Sequence, residues 1–183
     1  MRIVLGMMCL FAAWLAPAAT EGASVKSEYA ADTTNDIKAL TPDEVQGLTQ
    51  GQGMGFAKAA ELNQHPGPLH VLELADRLHL TDSQRVETER VFARMRARAV
   101  ELGTLLVEHE RALDQLFSQA RVSATSLDSA LQKIGATRAR LRGVHLHAHI
   151  EMKQILSRHQ VMRYDELRGY GTRRGTHQHR HRH

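Results

Sequence analysis

Between residues 81 and 120 apolar or small side chains recur at Phe92, Met95, Ala99, Leu102, Leu106, Leu113, Leu116 and Ala120 in steps of three and four, with His109 in the slot between Leu106 and Leu113. This period predicts one long helix with a coiled-coil seam that carries a single polar member. Leu80-Thr81-Asp82-Ser83-Gln84 supplies its start as a capping box, in which the Thr81 hydroxyl accepts from the third helical N–H and Gln84 reaches back to the cap. At 1.5 Å rise per residue such a helix is about 60 Å long, too long for a compact chain of this size to bury, so it requires an antiparallel partner.

The partner follows directly. Leu127, Leu131, Ile134, Arg138, Leu141, His145, Ala148, Met152 and Ile155 repeat the same spacing, after a turn at residues 121–125 and a cap at Ser123 or Thr125. A closing helix starts at Leu156-Ser157-Arg158-His159-Gln160, a second box of the same form capped by Ser157 and Gln160, and runs through Val161, Tyr164 and Leu167 to Gly169. Ahead of the hairpin, Thr41-Pro42-Asp43-Glu44 caps a short helix reaching about Gln50, residues 56–62 predict another, and residues 69–79 a third with Val71, Leu74, Ala75 and Leu78 on one side. Gly51-Gln52-Gly53-Met54-Gly55 has the glycine content of a phosphate loop but no buried strand before it. The expected architecture is all-α: a long antiparallel hairpin with short flanking helices.

The chain ends divide it further. Residues 1–18 combine Arg2, an apolar run from Ile3 to Leu15 and Ala16-Pro17-Ala18, the pattern of a secretory signal peptide; an uncleaved anchor is the alternative. The only cysteine, Cys9, lies inside that run, so the remaining chain of about 165 residues has no thiol. Residues 19–40 are polar and patternless and read as a disordered leader, residues 41–67 as short helices and a turn, 68–170 as the hairpin domain and 171–183 as a flexible His/Arg-rich tail. Aromatics make up 4% of the chain, which favours helices over sheets. Residues 19–80 hold nine acidic and four basic side chains, net −5, whereas 81–183 hold eleven and nineteen, net +8. A basic second half suits acidic partners, or is simply a solvated helix surface.

The paired Leu-[Thr/Ser]-x-x-Gln boxes at residues 80–84 and 156–160, the long hairpin between them, the Tyr-Asp-x-Leu at residues 164–167 and the signal peptide together resemble the Spy/CpxP family over residues 68–170. That family groups periplasmic ATP-independent chaperones, the zinc-resistance-associated protein and heavy-metal sensors. The resemblance implies a periplasmic, dimer-forming helical fold that cradles partly unfolded envelope proteins, with a membrane-bound regulator as a further partner for the sensor members. It also implies attention to metals. His145 and His149 share a helix face with Met152 one turn on, a donor set suited to zinc, copper, nickel or cobalt. If the hairpin turns near residue 123, positions whose numbers sum to about 246 lie opposite, which adds Glu101 to that cluster and sets His109 against Thr137. The alternative for His145 and His109 is a seam histidine that bonds locally and sets register. The sensors' His-x-x-x-His on the first helix has no counterpart, since His70 and His79 are nine apart. In the tail, His177, His179, His181 and His183 alternate with polar residues, a loose chelator or a solvated basic segment. No cofactor is required by this reading.

Enzyme signatures are missing: there is no His-Glu-x-x-His, no nucleophile elbow and no carboxylate pair. Nucleic-acid binding is disfavoured by acids interleaved with the bases. The expected role is an ATP-independent chaperone-like envelope stress protein that binds a transition metal, with a heavy-metal sensor or resistance protein as the alternative.

Overall fold

The structure, a computed structural model, describes residues 26–170. The protein is all-α, with no named strand among those residues. Residues 31–170 belong to one compact unit; of the preceding unit, residues 26–30 are described and begin a 3₁₀ helix, Glu28–Thr34. The expected signal peptide and tail lie outside the described residues. No helix among those described is long and apolar enough to cross a membrane.

Helices α4 (Asp82–Ser118) and α5 (Ala124–Ile155) form the antiparallel hairpin. Thr81 caps α4 through the expected box, and Ser123 caps α5 through one completed by Ser126. Between them Ala120 adopts a positive φ of 53°, which lets the chain reverse. The register is fixed by cross-hairpin contacts: the Thr137 hydroxyl lies 3.2 Å from His109 Nδ1, and Arg94 pairs with Glu151. His109 therefore sits at the seam in hydrogen-bonding reach of a buried partner, as the local-bonding alternative expects. Arg138 does not occupy the seam; it is exposed, with its guanidinium over the Phe56 ring at 5.9 Å. A charge gains more by snorkelling onto an aromatic face than by desolvation between helices.

Shorter elements cover the middle and the open end of this hairpin. Helix α1 (Pro42–Thr49) lies across the middle of α4, α2 (Lys58–Glu61) against α5, and α3 (Pro68–Glu73) against the open end. Helix α6 (Arg158–Leu167) folds back at that end, stopped by Gly169 at φ 75°. Two cores result. The middle one joins Ile37, Leu40 and Leu48 to Leu102, Leu106 and Leu141; the lower one joins Val71 and Leu78 to Val91, Met152, Val161 and Tyr164. The approach of α1 depends on Gly103, where a Cβ would stand 2.0 Å from the Leu48 carbonyl oxygen.

The expectation of a disordered leader through residue 40 is corrected from Glu28 onward. Ile37 and Leu40 are buried in the middle core, the Leu40 N–H donates to the Ile37 carbonyl, and Asp36 pairs with Arg111 at 2.9 Å. Two aliphatic side chains spaced three apart gain enough from burial to fix a polar segment that has no periodicity of its own. For the same reason residues 41–67 do not stand apart from the hairpin: they are packed along it.

Candidate functional site

The two Leu-[Thr/Ser]-x-x-Gln boxes meet at the open end. Gln84 Oε1 accepts from its own cap N–H at Thr81 (3.1 Å) and from Gln160 Nε2 (2.9 Å), while Gln160 Oε1 accepts from Ser157 N–H (2.9 Å) and from Gln84 Nε2 (2.9 Å). The remaining amide hydrogens reach backbone carbonyls, Gln84 that of Ile155 and Gln160 that of Leu78. Each carboxamide thus finishes one helix start and clamps the other.

Above this clamp, the spacing of four brings His145 and His149 onto one face of α5, against residues 56–68. His145 is 3% exposed and its ring stacks on Phe56 with centroids 5.8 Å apart. Its Nε2 is buried and has no hydrogen-bond partner. His149 Nδ1 donates to the His65 carbonyl at 2.7 Å, an orientation that leaves Nε2 as the ring's acceptor. Gly67 permits this packing, because a Cβ there would lie 3.0 Å from His149 Cε1. Burial lowers both imidazole pKa values; for His145 the neighbouring His149 adds to the effect, while for His149 the bond to His65 and the nearby Glu61 oppose it.

Glu61, the last residue of α2, is the hub of the same region. It accepts from Tyr164 Oη at 2.6 Å and from Tyr170 Oη at 3.1 Å, and it lies 3.5 Å from Arg168 Nε and 3.6 Å from His149 Nδ1. Tyr164 also accepts from Gly67 N–H at 3.4 Å, and burial, reinforced by the carboxylate, pushes its phenol far above the ordinary range. Sequence reasoning missed this hub. Its partners lie 103 and 109 residues away, and a lone Glu closing a short helix carries no periodic signal.

His145, His149, Glu61, Arg168, Phe92, Met95 and Arg96 line a cleft of about 750 Å³ under the glycine-rich loop of residues 50–55. That loop is a packing device: Gly51 has a φ of 69° and sits where a Cβ would be 3.0 Å from the Arg96 carbonyl oxygen.

Of the expected metal cluster, only His145 and His149 share the cleft. Glu101 turns to solvent, its side chain 62% exposed and paired with Arg98 one turn earlier. Met152 is fully buried in the lower core. Among the described residues no group of three or more His, Cys, Asp or Glu is arranged to hold a metal ion. His177, His179, His181 and His183 lie outside the described residues. No family model, curated protein or solved structure matches the chain.

Proposed function

We propose that this chain is an exported, ATP-independent, chaperone-like stress protein of the Spy/CpxP type, which holds partly folded envelope proteins on its apolar hairpin surface. The observation that carries the reading is the uncovered closed end of the hairpin. Phe117 is 57% exposed, Leu131 49% and Val122 38%, and Leu113, Leu116, Leu127 and Ile134 beside them are only half covered. Arg121 and Lys133 lie among them, both exposed. An apolar band edged by charges of both signs, Asp114 and Asp128 besides the two cations, suits reversible capture of unfolded chains, whose exposed side chains are apolar. A second copy of the chain is the homodimeric partner that the resemblance implies.

The test is suppression of aggregation of a reduced client at near-stoichiometric ratio. The native chain suppresses it and a Phe117→Ser/Leu131→Ser variant does not; absence of suppression by the native chain sinks the proposal.

Transition-metal binding, and with it a sensor role coupled to a membrane-bound regulator, rests on the alternating histidines His177, His179, His181 and His183. Calorimetry with zinc, copper, nickel and cobalt on the whole chain and on a version ending at Tyr170 decides it. Heat retained after truncation would place the metal elsewhere.

A further inference from the structure

We infer that the cleft beneath residues 50–55 is a binding site for a small amphipathic anion: one anionic group on an aromatic or aliphatic body, with a polar atom that reaches His145 Nε2. This goes beyond the chaperone reading and stands independently of it, since the cleft and the closed end of the hairpin share no residue.

Four observations converge. The volume of about 750 Å³ is ample for a ligand of drug-like size. Phe92, Met95, Ala57 and Leu69 give it apolar walls. His145, more than nine-tenths buried, lines the cleft and has an Nε2 without a partner, and a ligand hydrogen bond would offset the cost of leaving that buried atom unmade. The charge balance then chooses the sign of the ligand. The carboxylate at the cleft, Glu61, is already held by two phenols and Arg168, whereas Arg96 on the rim pairs with no carboxylate among the described residues.

The same balance disfavours a metal ion. A divalent cation would face the like charges of Arg96 and Arg168, and the three imidazoles at the cleft, His70, His145 and His149, are not arranged with one another or with Glu61 to hold it, His70 being engaged with Glu73.

The site is tested by fluorescence titration with anilinonaphthalene sulfonate, whose sulfonate suits Arg96, whose anilino N–H suits an acceptor imidazole and whose rings suit Phe92 and Met95. The expected result is one saturable site, displaced by dodecanoate and not by dodecyltrimethylammonium. Arg96→Gln weakens binding about twofold to fivefold, as loss of one exposed ion pair predicts, and His145→Gln weakens it comparably. Arg96 is exposed, so that variant keeps its fold, verified by an unchanged melting curve. Phe117→Ser leaves the titration unchanged. The inference is overturned by non-saturable binding, by binding indifferent to both Arg96→Gln and His145→Gln, by loss of the site in Phe117→Ser, or by zinc chloride displacing the probe while dodecanoate does not.

Discussion

Gln84 and Gln160, 76 positions apart in the chain, exchange hydrogen bonds of 2.9 Å in both directions, each carboxamide oxygen also receiving the N–H of its own helix cap. The start of α4 and the start of α6 are thereby one structure. Gln160→Ala removes a cap partner and both hydrogen bonds of the exchange, and costs about 2–3 kcal/mol in chemical denaturation. A double-mutant cycle with Gln84→Ala gives a coupling of about 1–2 kcal/mol; additive losses would mean that the two boxes act separately.

Glu61 ties α2 to the C-terminal helix through Tyr164 and Tyr170. Glu61→Ala leaves the buried Tyr164 hydroxyl without its carboxylate and is expected to cost about 2–4 kcal/mol, while Glu61→Gln, which keeps an acceptor, costs about half as much. Urea melts of the two variants check the order. Equal losses would show that charge, rather than hydrogen bonding, carries the hub.

The buried histidines make stability depend on pH. Both His145 and His149 have pKa values lowered in the folded chain, chiefly by burial. The unfolded chain therefore binds protons first as pH falls through the ordinary imidazole value of about 6.5, and stability is full above that value and declines below it. Melting temperatures measured from pH 7.5 down to 5 should fall, and should fall less steeply in His145→Phe, which keeps a ring against Phe56. An unchanged slope in that variant removes His145 from the effect.

Gly103 tests how closely α1 is seated. Alanine there gains about 1 kcal/mol of helix propensity in α4 but sets a methyl against the Leu48 carbonyl, so α1 must lift. The net effect is a loss of about 1–3 kcal/mol, with amide exchange accelerating in α1 and remaining slow around Leu141. Uniform acceleration would mean that α1 and the hairpin open as one.

Much of the hairpin is legible without a structure. The seam steps of three and four place both long helices, the box at Thr81 marks the start of α4 and that at Ser157 the start of α6, and the pairing rule sets His109 against Thr137. The same rule set Glu101 opposite His145 and went no further, because opposite register does not say which way an exposed side chain turns: Glu101 has Arg98 one turn away on its own helix. An exposed carboxylate pairs with a cation one turn away on its own helix rather than with an imidazole buried on the next.

What the sequence determined alone is therefore the hairpin: the type, extent, caps and register of its two long helices, whereas the helix expected over residues 69–79 stops at Glu73. What only the tertiary structure decided is where segments without a period come to rest. Ile37 and Leu40 enter the middle core, residues 50–55 roof the cleft, Glu61 finds two phenols more than a hundred residues away, and His145 is left with an unpartnered nitrogen. The physical reason is range. Helical periodicity reports contacts within one or two turns, whereas these sites are set by shape and desolvation between surfaces that meet only once the hairpin has formed.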